Sequence, residues 1–123
     1  MDTDRTLLVL LTENNALVGI DLCEALVEAG YRVVGPVATV AETEALLANQ
    51  AIDLAIIEPF LRDGDCTDTM RQLRRRGVPF VVHASCGRDD PLALGFTDAP
   101  WLTNPAVPRD VVITLGDIAF GSS

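Results

Sequence analysis

Leu7-Leu8-Val9-Leu10-Leu11 is a run of five apolar residues with no polar alternation. A stretch of strand length that is apolar throughout fits a strand buried on both faces, as strands of parallel sheets are. Beyond it the pattern turns helical. Ala16, Ile20, Cys23 and Val27 recur at steps of four, three and four, which predicts a helix over 15–29 with that line inward and Asp21, Glu24 and Glu28 on other faces. Gly30 stands where a helix stops. Tyr31 to Val34, closed by Gly35-Pro36, reads as a second strand. Thr39-Val40-Ala41-Glu42 is a capping box that opens a helix running to about Asn49. Asp53 to Ile57 is a third strand, Gly64 marks a loop, and a helix follows to about Arg76, ended by Gly77 with Pro79 beyond. Phe80 to His83 is a fourth strand, Trp101-Leu102 a brief fifth, and Arg109 to Ala119 a last helix. Between Ala84 and Pro100, the residues Gly87, Pro91 and Gly95 leave room only for a shortened fourth helix.

Strands alternating with helices predict an α/β architecture with a doubly wound, five-stranded parallel sheet. Five units in 123 residues suit the flavodoxin-like order 2-1-3-4-5 in a single domain spanning residues 1–123. Composition narrows the function. Hydrophobic residues make up 49% and charged residues 22%, as in a globular chain that builds its own core. Eighteen acids against nine bases, all arginine, give a net charge of −9, which disfavours nucleic acid and anionic membrane surfaces. The chain has no lysine, so a lysine-dependent mechanism is excluded. The polar, acidic start lacks the look of a signal peptide and no apolar run approaches a membrane span, so a cytoplasmic location is expected. Cys23, Cys66 and Cys86 match no zinc or paired-cysteine spacing, which also suits a reducing compartment.

In a sheet of this order the site lies at the carboxyl ends of the first, third and fourth strands. The residues there are Thr12-Glu13-Asn14-Asn15, then Glu58-Pro59-Phe60-Leu61-Arg62-Asp63-Gly64, then His83-Ala84-Ser85, with Thr103-Asn104-Pro105 after the fifth strand. With these residues in view, the chain resembles a response-regulator receiver domain of two-component signalling over nearly its whole length. The stretches that carry the resemblance are Glu13 to Val18, Gly30 to Pro36, Asp53 to Glu58, Leu61-Arg62-Asp63-Gly64, Val78 to Val82 and Trp101 to Pro105, in the right order and spacing.

The resemblance implies a phosphoryl acceptor at the end of strand three, an acidic pair that holds Mg²⁺ after strand one, a hydroxyl after strand four and a lysine after strand five. Here those positions hold Glu58, the pair Glu13 and Asn14, Ala84 with Ser85 adjacent, and Asn104; Trp101 holds the aromatic switch position. All of the pocket positions except Glu13 depart from the pattern. Glutamate moves the carboxylate outward by about 1.5 Å, and misplacement on that scale costs on the order of 10²-fold. Asn14 offers a neutral oxygen where a Mg²⁺ site relies on charge. Ala84 lacks a hydroxyl, and no lysine elsewhere replaces the missing cation. The usual pocket, three carboxylates and a lysine, and this one, Glu13 and Glu58 with two asparagines, carry the same formal charge. Side-chain hydrogen bonds from Asn14 and Asn104 to Glu58 are therefore expected to hold one conformation.

The resemblance, read with these departures, implies an atypical receiver: a non-enzymatic pseudo-receiver, independent of phosphorylation, that acts through protein–protein contact. Its expected partners are a kinase, another receiver or itself as a homodimer. With no output domain after Ser123, its effect is expected to pass through binding. No cofactor or metal is expected, Glu13 and Glu58 being the only candidate ligands. The alternative is an active receiver that uses Mg²⁺ and an acidic side chain at the strand-three edge, Glu58, Asp63 or Asp65. A small-ligand site in the same cleft is a third reading, opposed by the acid in the first loop. His83 reads as a satisfied structural histidine, and Arg74-Arg75-Arg76 as cations that complement a helix C-terminus. Cys66 and Cys86 read as small buried or incidental thiols; the alternative is a redox role, since Cys66 near a helix N-terminus has a place where a thiol pKa is lowered.

Overall fold

The computed structural model describes residues 6–84, 99–103 and 106–121. In chain order the elements are β1 (Leu8–Thr12), α1 (Ala16–Glu28), β2 (Arg32–Val37), α2 (Val40–Asn49), β3 (Leu54–Ile57), β4 (Phe60–Leu61), β5 (Gly64–Asp65), α3 (Thr67–Arg75), β6 (Phe80–Ala84), β7 (Trp101–Thr103) and α4 (Pro108–Phe120). Five strands form a parallel sheet in the order β2-β1-β3-β6-β7, which is the expected 2-1-3-4-5. Strands β4 and β5 form a separate antiparallel hairpin where the sequence predicts a loop. The shortened fourth helix falls within residues 85–98, outside those described.

The unalternating apolar runs of β1, β3 and β6 are buried from end to end, because helices cover both faces of the sheet. Successive residues still point to opposite sides. Leu10, Ala55, Ile57 and Val82 pack with Leu47 of α2 and Met70 and Leu73 of α3. Val9, Leu11, Leu54, Ile56 and Val81 pack with Leu22 and Leu26 of α1 and Val111 and Leu115 of α4.

The starts of α1 and α2 follow polar N-cap residues that satisfy free N–H groups. Asn15 Oδ1 accepts from Leu17 N and Val18 N at 3.0 and 3.1 Å. Thr39 Oγ1 accepts from Glu42 N at 3.1 Å and donates to Glu42 Oε1 at 2.9 Å. At the far end of α3, Gly77 takes φ +70°, a left-handed turn that glycine enters without steric cost. The inward line of α1 differs from expectation: the buried residues are Gly19, Leu22 and Leu26, while Ile20 and Val27 are exposed. Gly19 sets this rotation. A Cβ there would stand 2.9 Å from both Cβ and Cγ of Pro36, so the bare backbone lets α1 lie against β2. Among the described residues no helix is long and apolar enough to cross a membrane.

Candidate functional site

The carboxyl ends of β1, β3 and β6 bring Glu13, Glu58 and Ala84 together with Thr12 and His83, all buried. Thr12 joins the first two strand ends. Its hydroxyl accepts from Glu58 N at 2.9 Å and donates to the Glu58 carbonyl at 3.3 Å. The resemblance pointed past Thr12, although it sits directly before the acidic pair.

Glu58, in the acceptor position, is 1% exposed. Its Oε2 accepts from the backbone N–H of Phe60 at 3.2 Å, so the carboxylate folds back over its own loop. Asn14 does not donate to Glu58 as expected. It gives its amide N–H to the Phe60 carbonyl at 2.6 Å. The two side chains thus grip one peptide segment from opposite directions, Glu58 by its N–H and Asn14 by its C=O. Asn104 and Ser85 lie outside the described residues, as does Cys86.

Glu13 is turned into the protein. Its Oε2 accepts from Asn15 N at 3.0 Å, and its Oε1 lies 3.5 Å from His83 Nδ1, both side chains being buried. The pair is within ion-pair range but is not aligned as a hydrogen bond, and among the described residues neither ring nitrogen of His83 nor Glu13 Oε1 has a hydrogen-bond partner. His83 is therefore not the satisfied histidine that the sequence suggested. The register explains the meeting: β6 alternates, so Val82 and Ala84 face α2 and α3 while His83 turns to the side of α1 and α4. Removing either side chain would leave the other buried without the polar group it faces.

The two other acids proposed as acceptors are engaged as helix caps. Asp63 Oδ1 and Oδ2 accept from Val40 N and Ala41 N of α2 at 2.6 and 3.1 Å. Those bonds, led by the one from Val40, hold its carboxyl below the usual carboxylate range. Asp65 Oδ1 accepts from Thr67 N at the start of α3 at 3.0 Å, and hydrogen bonding to Thr67 lowers its carboxyl as well. Cys66 is fully buried, and burial first, then the charges of Asp65, Glu58, Asp63 and Glu44, push its thiol up to about 12. The lowered thiol expected at that helix end is thus reversed. Trp101 is 9% exposed and packs in the cluster that holds Ala84, Val82 and Ile57.

The donor set does not fit Mg²⁺. A magnesium site draws on carboxylate charge directed to one point. Here Glu13 points at His83, the partner acid is an amide bound to Phe60, and Glu58 turns to its own loop. Among the described residues no three acids, histidines or cysteines converge to hold a metal ion.

No protein-family model matches the chain, and no curated protein does. Solved structures do match, among them receiver domains of response regulators. The response regulator receiver protein from Sinorhizobium medicae WSM419 superposes with a TM-score of 0.84 at 20% identity, over 95% of this chain and 97% of that one. The non-phosphorylated HemR receiver domain from Leptospira biflexa gives 0.81 at 24% identity, over 96% and 98%. SdrG from Sphingomonas melonis Fr1 gives 0.73 at 29% identity, over 92% and 98%. The chain has the receiver fold, flavodoxin-like in strand order.

Proposed function

From its receiver fold, we propose that the chain is a signalling module of two-component type that works by protein–protein contact and does not run the phosphorylation cycle. The observation that carries this is Glu58: the side chain in the acceptor position is 1% exposed and spends an oxygen on Phe60 N. An acceptor carboxylate must meet a phosphoryl donor in line, with cations to neutralise the developing charge. Ala84 has no hydroxyl, Glu13 is paired with His83, and the chain holds no lysine. What the same residues do is fix a loop. Glu58 and Asn14 clamp Phe60, and Thr12 ties that loop to β1, so the edge a receiver normally rearranges is held in one state. The net charge of −9 directs the module to proteins and away from nucleic acid.

The test is intact mass and Trp101 fluorescence with Mg²⁺, before and after acetyl phosphate or a beryllofluoride mimic. The expected result is no mass gain and no saturable fluorescence change. A gain of one phosphoryl group, or a saturable change in Trp101 emission, overturns the proposal and makes this an active receiver.

A further inference from the structure

Of the seven large apolar side chains exposed among the described residues, six lie on α1, on α4 or on Val107, which precedes α4. Single exposed apolar residues need no explanation, but a concentration of them on one face does. On α1, Leu17, Ile20, Glu24 and Val27 fall at i, i+3, i+7 and i+10, a single line along a helix. Its apolar members are 76%, 49% and 57% exposed. On α4 the same spacing places Asp110, Ile113, Asp117 and Phe120 in line, with Ile113 and Phe120 52% and 72% exposed. The opposite faces of both helices pack on one side of the sheet, and the helices touch each other. The two outward lines therefore share one side of the molecule.

The charge around these lines is mainly negative. Among the described residues of these two helices, Asp21, Glu24, Glu28, Asp110 and Asp117 are exposed beside them, against Arg109. A second copy fits poorly. Apposing this face with itself sets like charges together, which is costly at an interface. Among the described residues the arginines cluster at the end of α3, where Arg71, Arg74, Arg75 and Arg76 are exposed, and that helix carries no exposed large apolar residue. Among the described residues a copy thus carries its arginine cluster and its apolar lines on different helices, and only single arginines, Arg62 and Arg109, stand within two residues of exposed apolar side chains, Phe60 and Val107. We infer that the α1–α4 face docks an amphipathic helix of another protein, one with an apolar stripe flanked by Lys and Arg. Helix-in-groove recognition reads such a stripe through anchors one turn apart, and the flanking bases meet the acidic rim. The inference rests on the reading of the chain as an interaction module and names the chemistry of its partner.

The probe is a fluorescently labelled designed helix of about 15 residues, a length at which helicity becomes sustainable. It carries leucine at i, i+3, i+7 and i+10 with Lys and Arg on either side. Anisotropy titration is expected to show saturable 1:1 binding that weakens with NaCl. Ile20→Asp and Ile113→Asp, both at exposed positions and checked for unchanged circular dichroism, are each expected to weaken it on the order of tenfold. The same peptide with Glu for every Lys and Arg is expected not to bind. Equal binding of the Glu-flanked peptide, or unchanged binding by both variants, overturns the inference. So does a dimer in sedimentation equilibrium that Ile20→Asp dissolves, which assigns the face to a second copy. Repeating the titration after acetyl phosphate and Mg²⁺ separates the two readings. Binding gained only together with a phosphoryl mass keeps this face and overturns the phosphorylation-independent reading; binding absent in both states overturns the face.

Discussion

The Cys66 thiol stands where two local effects oppose each other. It precedes α3, where the helix dipole favours a thiolate, yet it is fully buried and ringed by Asp65, Glu58, Asp63 and Glu44. Burial and like charge win, and the thiol is pushed up to about 12. A group whose folded pKa exceeds its unfolded one stabilises the fold below the unfolded value, and that contribution drains away as pH rises toward the folded one. Denaturant titrations at pH 8 and pH 10 are therefore expected to show wild type losing more stability than Cys66→Ala. Tyr31, raised by burial, acts with the same sign in both proteins and cancels from the comparison. Equal losses would refute the assignment. At this scale the sequence names the occupants of the strand ends, Glu13, Glu58 and Ala84, because strand ends are set by local pattern. It does not reveal that Glu13 pairs with His83 across the sheet, or that Asn14 binds Phe60, because those depend on side-chain direction at contacts distant along the chain.

Elements show the same division. The boundaries of α2 and α3 follow from Thr39 and Gly77, each acting through its own hydrogen bond or backbone angle. The inner face of α1 is not legible from apolar spacing alone, because an apolar line can be drawn along several faces of this helix. Asp21, Glu24 and Glu28 carry the better signal: the side opposite them holds Gly19, Leu22 and Leu26. The β4–β5 hairpin has strands of two residues, too short to leave any periodicity, yet it places Asp63 against α2. Asp63→Ala removes the acceptor for two N–H groups of the first turn of α2, and it is expected to lower Tm at pH 7 and to speed hydrogen exchange at Val40 and Ala41. The carboxyl is held below its ordinary 3.8, chiefly by Val40 N–H, so its contribution is present above that value and is lost as pH falls through the lowered one. The Tm gap between wild type and Asp63→Ala should therefore close on acidification. A gap that persists at the acid end would mean that the loss comes from hairpin packing and not from the carboxylate.

Across the whole molecule the charges are uneven. Acids line the α1–α4 face while Arg71, Arg74, Arg75 and Arg76 gather along α3, so the excess of −9 is not cancelled locally. Folding brings those acids closer together than the unfolded chain does, and self-repulsion opposes the compact state. The exposed pair Arg71–Asp68, at 3.2 Å and one turn apart, offsets little of this, since exposed pairs gain little in water. Salt should then screen more repulsion than attraction. Raising NaCl from about 10 mM to about 150 mM, which shortens the screening length from roughly 30 Å to roughly 8 Å, is expected to raise Tm. The double variant Glu24→Gln/Asp117→Gln is expected to melt higher than wild type at low salt and to gain less from added salt, because it has already shed part of the repulsion. A Tm that falls with salt would show that attractive pairs dominate the surface, and the acidic rim would then be an internal stabiliser. If Tm rises, the rim is held at a cost to the isolated fold, the balance expected of charges whose favourable partners lie on another protein.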